Sequence, residues 1–410
     1  LLRGDIIMNL LKEGLQSKAV KKTNYSKQLI IDGHKEDHII YEIRLDLLFY
    51  NDQNDRIATW VNKYKQDNEI LDFNLEDKKK YNSIIHNFIV DSNKEAIDKT
   101  QKNIQMIGQQ EFGVVLSNGR IIDGNRRFTC LRNIEEKDGV SQYFKAVILD
   151  YDIEQNKKQI KMLELQLQHG VDEKVGYNPI DRLVGIYNDI IETNLLTVKE
   201  YANSVNQPEK EIELEVERAK LMVEFLEFFN LNKQFHIARD FNLIDPLKEL
   251  HKMLKKISDE DKKEELKNTI FTQFFMFDGD KTRYARKIAK IAANTKFIDN
   301  YIDEQSEIVS NLLNEVCKHN IITQKEIATL KSDEKLKNGL ERITEKYVSK
   351  VDSDTTRNQP AKQVEKAFDS LDMIDNNILR KLTDEQKSEI LEKLDGINEL
   401  ITEIRRELNV

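Results

Sequence analysis

The chain has 410 residues, 39% hydrophobic and 33% charged, with a formal net charge of −9. That length allows two or three domains with a sizeable core; no apolar run nears the ~20 residues that span a bilayer, so no membrane partner is expected. The acidic balance argues against broad nucleic-acid binding, and two distant cysteines, Cys130 and Cys317, predict a reducing, cytoplasmic setting without structural zinc.

In chain order, residues 1–38 read as an N-terminal helical extension. A helix near 6–16 is followed by a polar connection, in which Asp32-Gly33-His34 with His38 reads as a turn. Ile39 to Ile43 is β-like. Residues 55–103 place Ile57, Trp60, Val61 and Tyr64 at helical spacing. The strand-rich block is 112–150, closing with Ala146-Val147-Ile148-Leu149. From about 154 onward every strong periodicity is helical. The expected class is therefore α+β: a small α/β domain over 39–153, then a large all-helical region divided into 154–235 and 236–350.

Residues 351–362 (VDSDTTRNQPAK) carry no apolar stripe and read as a linker. Residues 363–410 read as a helical hairpin or coiled coil. The final helix begins at Thr383, with Gln386 as capping-box partner. Its seam is Ile390, Leu394, Ile397, Ile401, Ile404 and Leu408, at alternating steps of four and three. Under three heptads favours intramolecular packing over a dimer zipper.

The most informative stretch is 108–132, GQQEFGVVLSNGRIIDGNRRFTCLR. Val114-Val115-Leu116 stops at a Ser117-Asn118-Gly119 turn, and Ile121-Ile122 runs into Asp123-Gly124. Arg126 and Arg127 then open a helix. A helix N-terminus offers N–H groups to an anion, arginines add forked donors, and Gly124 permits close backbone approach. The alternative is an ordinary turn followed by a solvated first helical turn.

The order of the surrounding segments weighs between these. Asn51-Asp52-Gln53-Asn54-Asp55-Arg56 follows the first strand, and Gly108-Gln109-Gln110-Glu111 ends a helix. Asp123 to Arg127 comes next, then Leu165-Gln166-Leu167-Gln168, Tyr177-Asn178-Pro179-Ile180-Asp181 and Leu196 to Ala202. This succession resembles the ParB/sulfiredoxin superfamily, in particular the ParB-like N-terminal domain of partition proteins, over about residues 39–220. The resemblance implies a ribonucleoside triphosphate, CTP or ATP, with Mg²⁺. Gly108, Gln109, Gln110 and Glu111 would wall the pocket; Gly124, Asn125, Arg126 and Arg127 would hold phosphates; Gln166 and Gln168 would complete the triphosphate and Mg²⁺ environment.

The departures are specific. Leu165 and Gln166 stand where the family carries an acid for Mg²⁺, with Glu164 one position away. Nucleotide binding is therefore expected before hydrolysis; a slow NTPase stays open, with no catalytic or metal-ligating residue assigned. Asn125 stands where the sulfiredoxin branch has its cysteine, and Cys130 reads as a small core residue. Leu196–Ala202, a left-handed turn at Asn206 and Ile212 fit a helix-turn-helix. Its second helix carries Glu209, Glu211, Glu213, Glu215 and Glu217, which phosphates would repel.

Outside that region, 281–298 holds Arg283, Arg286, Lys287 and Lys290 with no acid, a candidate nucleic-acid face. Asp278-Gly279-Asp280 reads as a turn. Three functions follow. The first is a nucleotide-binding switch controlling self-association or partner binding, with a homodimer or a protein docked on the helical C-terminal region. The second is a DNA- or RNA-binding or processing protein of plasmid maintenance or phage defence. The third is an interaction scaffold with a degenerate pocket.

Overall fold

A computed structural model describes residues 8–31, 33–169, 178–319 and 322–408. The strands are β1 (Val20–Ile31), β2 (His34–Arg44), β3 (Gly113–Leu116), β4 (Ile121–Asp123) and β5 (Tyr143–Leu149). They form one sheet in the order β1-β2-β5-β3-β4, antiparallel except for the β3–β5 pair. The helices flanking and following it are α1 (Ala58–Asp67), α2 (Lys78–Ser92), α3 (Lys94–Ile107), α4 (Asn125–Asp138) and α5 (Lys157–His169). The class is α+β, as the sequence implies.

Side-chain alternation divides the sheet into two apolar faces. Ile43, Val115, Phe144, Ala146 and Ile148 point to one face, where Ile85, Ile97, Phe128 and Leu131 of α2, α3 and α4 cover them. Ile40, Val114, Leu116, Val147 and Leu149 point to the other, where Leu163 of α5 joins them. The central strands are buried on both faces, which is why they read as short unbroken apolar runs.

The sequence reading misses one strand and half of another. The expected polar connection after the N-terminal helix is the long β1–β2 hairpin, with the connecting Gly33 at φ +81°. Apart from Val20 and Leu29, β1 is exposed or half-exposed. Its order comes from the backbone ladder to β2, which is anchored in turn on β5, so no hydrophobic alternation announces it. The N-terminal helix is a turn and a half from Leu10; Asp32 lies outside the described residues.

Helices continue as α6 (Pro179–Ile186), extended by a π-helical turn at Tyr187–Glu192, then α7 (Val198–Val205) and α8 (Glu209–Phe228). Next come α9 (Phe235–Asp240), α10 (Ile244–Leu254), α11 (Glu260–Met276), α12 (Lys281–Ala292), α13 (Ile298–Val316) and α14 (Gln324–Lys331). Phe225 of α8 and Phe229 at its C-cap meet Phe271 and Phe275 of α11 in edge and stacked contacts, a geometry favourable beyond area burial. The last helices are α15 (Glu334–Asp372), α16 (Asn376–Leu379) and α17 (Asp384–Glu407). Residues 351–362, read as a linker, are helical inside α15, with Pro360 within it. Nearly all of its side chains are exposed there, so no apolar stripe marks it in the sequence. The chain divides into two compact units, Leu1–Thr344 and Glu345–Val410.

Candidate anion-binding site

β4 ends at Asp123, Gly124 turns with φ +110°, and α4 starts at Asn125. A Cβ on Gly124 would sit 2.7 Å from Cζ of Phe144, so both the backbone angle and the close approach call for glycine. The first turn is pinned from below. Phe128 N–H donates to the Gly124 carbonyl (2.9 Å), Thr129 Oγ1 donates to the Asn125 carbonyl (2.9 Å), and Tyr50 meets Thr129 through their hydroxyls (2.9 Å).

No side chain caps this N-terminus, which leaves the donors of the first turn to solvent or a ligand. Asn125 is 8% exposed, yet neither its Oδ1 nor its Nδ2 has a protein partner. Arg126 is half-buried and pairs with no carboxylate among the described residues. Burial, then Arg56 and Arg127, lower its pKa. Guanidinium does not give up its proton at ordinary pH, so the lowered value reports a site that favours an added negative charge.

Arg127 is differently engaged. Its Nη2 is 2.8 Å from Asp123 Oδ2, itself 3.9 Å from Lys27, and Lys27 donates to the Phe112 carbonyl at 2.6 Å. This chain of contacts ties the approach to β3 to the start of α4. Gln109 clamps the edge of β5, accepting from Lys145 N–H (2.8 Å) and donating to the Lys145 and Glu111 carbonyls (2.8 and 2.9 Å). Gly108 caps α3, and Gly108, Gln110 and Glu111 are exposed. Cys130 is buried on the inner side of α4, its thiol pushed up to about 12 by burial; it is a core residue, as read from the sequence.

On α5, Gln168 is buried and donates from Nε2 to Glu164 Oε1 (2.8 Å), while its Oε1 lacks a partner. Gln166 is half-buried. Glu164, one turn before Gln168, lines a cavity of about 270 Å³ together with Asn51, Asp55, Arg120, Lys161 and Asp189. Lys161 Nζ lies 2.8 Å from Asp55 and 3.2 Å from Asp189. Burial alone would lower the Lys161 ammonium, but Asp55, Asp189 and Glu164 outweigh it and hold it well above its usual value. Burial pushes Glu164 up to about 7 and Asp189 to about 6, against the pull of Lys161. A Cβ on Gly185 would lie 2.6 Å from the Asp55 carboxyl, so glycine there lets α6 press onto this cluster.

Apart from Glu164, noted as the neighbour of an expected acid, the sequence reading assigned no role to these cavity residues. Asp55, Lys161 and Asp189 are brought together from three separate elements. The one available signal was the spacing of Lys161, Glu164 and Gln168 on a single face of α5.

Thr197 and Glu200 form a capping box on α7, and Asn206 takes the left-handed turn at φ 54° before α8. Glu209, Glu211, Glu213 and Glu217 are exposed along α8, and Glu215 is 2.8 Å from Arg182. On α12, Arg283, Arg286 and Lys290 are exposed and Lys287 is half-exposed. Arg286 lies 3.3 Å from Glu249, and Lys287 sits over the Tyr284 ring.

No family model matches the chain, and no curated protein matches it. Among solved structures it is similar to the C2221 form of a Pnob8-like ParB-N domain, at 13% identity over 78% of this chain and 100% of that one, with a TM-score of 0.27. A likeness this loose carries no argument about ligand or partner.

Proposed function

We propose that this chain binds a phosphate-bearing ligand, in its fuller form a ribonucleoside triphosphate such as CTP or ATP, with the phosphates at the N-terminus of α4. The observation that carries the reading is Arg126, half-buried beside Arg56 with no carboxylate partner among the described residues, next to the orphaned amide of Asn125 and an uncapped helix start. An anion there would satisfy all three. Gly124 would allow close backbone approach, Arg126 would supply the charge, and Arg127 would keep Asp123 folded against the strand ends.

Mg²⁺ fits this scheme as a companion of the phosphates. Asp55 and Asp189 are already held by Lys161, so phosphate oxygens and water would be its ligands, and binding rather than hydrolysis suits the charges. The basic face of α12 supports the nucleic-acid alternative less well, because Glu249 shares it.

Calorimetry on variants tests the assignment. Arg126→Ala should weaken triphosphate binding about 10- to 100-fold, the loss of a charge-assisted contact worth about 1.5–3 kcal/mol. Arg127→Ala should act mainly on stability, through Asp123. Unchanged affinity in Arg126→Ala would overturn the assignment.

A further inference from the structure

Helix α17 is amphipathic, and none of its residues is fully buried. α17 and its C-cap Leu408 carry Ile390, Leu394, Ile397, Ile401, Ile404 and Leu408 along one stripe, widened by Leu391 and Leu400. Along the seam Ile390, Leu394 and Ile397 are half-buried, while Ile401 is 42% exposed, Ile404 47% and Leu408 68%. Its ends are well formed, with the Thr383–Gln386 capping box at the start and Arg405 and Arg406 in the last turn. Helices in water draw most of their stability from packing an apolar face, and a contiguous exposed apolar stripe marks an interface.

We propose that α17 pairs antiparallel with α17 of a second copy, as a two-helix coiled coil about a two-fold axis beside Glu399. The stripe is complementary to its own reverse. Ile390 then meets Leu408, Leu394 meets Ile404, and Ile397 meets Ile401, each layer formed twice and each wholly aliphatic. Such self-complementarity is what an isologous interface requires.

Charge selects the orientation. In the antiparallel pair the flanking position of Lys393 adjoins Glu407 of the second copy, and this happens on both sides of the axis. In a parallel, in-register pair Lys393 would face Asn398, Leu400 would face Arg405, and Gln386 would face Leu391, with no opposite charges paired. Lys393 lies 2.7 Å from Glu389 one turn earlier, and an ammonium with three donors can serve both carboxylates. A second copy, rather than an unrelated helix, is therefore the occupant that fits.

Sedimentation of the full chain from about 1 to 100 µM tests this. A monomer–dimer equilibrium is expected. Ile401→Asp, which puts a charge into two central layers, should weaken it at least about 100-fold. Glu407→Lys, a surface change that leaves folding intact, should weaken it roughly tenfold, and adding Lys393→Glu should restore it. A monomer at every concentration, a dimer indifferent to Ile401→Asp, or a double variant that fails to recover would each overturn the proposal.

Discussion

Glu164→Gln is expected to stabilise the protein at alkaline pH, although it removes a buried ionic side chain. The folded carboxyl sits at about 7 because burial, more than any neighbour, disfavours its anion; the unfolded value is 4.5. Between those values the folded chain binds more protons than the unfolded chain, so stability falls as pH rises through that window. At 1.36 kcal/mol per pH unit, the cost of holding the anion at pH 8 is about 3 kcal/mol. Glutamine keeps an oxygen for the Gln168 amide and cannot ionise. Urea unfolding across pH 5 to 8.5 should show the variant more stable by about 2–3 kcal/mol at pH 8 and by little at pH 5. Its remaining pH slope would come from Asp189 and Asp181, both raised to about 6 mainly by burial. A variant no more stable than wild type at pH 8, or one with an unchanged slope, would refute the reasoning.

Lys161→Met strands Asp55 and Asp189, whose side chains are only 5% and 9% exposed. It should cost about 3–5 kcal/mol at pH 7.5 and less at pH 5.5, where Asp189, already raised to about 6 by burial, can protonate, read from urea midpoints at both pH values. Gly124→Ala combines φ +110° with a 2.7 Å approach to Phe144. A stability loss of about 1–3 kcal/mol by thermal unfolding is expected, together with weaker triphosphate binding measured well below the melting range.

The parts of the fold that were legible are those set by local rules. The β3–turn–β4 unit, the helix start after Gly124 and the left-handed Asn206 each depend on residues within a few positions of one another. The β1–β2 hairpin was not legible, because most of its side chains face solvent and its order comes from backbone pairing with a strand about a hundred residues later. Residues 351–362 misled for a related reason: an exposed helix has no apolar stripe to show. In the candidate site, Arg126 and Arg127 look equivalent in sequence. Only the fold assigns Arg127 to Asp123 and leaves Arg126 beside Arg56. The Asp55–Lys161–Asp189 cluster joins residues from a 3₁₀ turn, α5 and a π-helical turn, and no sequence period links them.

The central claim is that phosphate is recognised at the start of α4. Thermal unfolding of the full chain with each of the four ribonucleoside triphosphates plus Mg²⁺, beside the matching nucleosides, tests it most directly. At least one triphosphate, at about 100 times its Kd, should stabilise the wild type by about 2.7 kcal/mol, while nucleosides give little shift and Arg126→Ala cuts the effect to about 0.4–1.4 kcal/mol at the same ligand concentration. No stabilisation by any triphosphate, or an equal shift from a nucleoside, would contradict it.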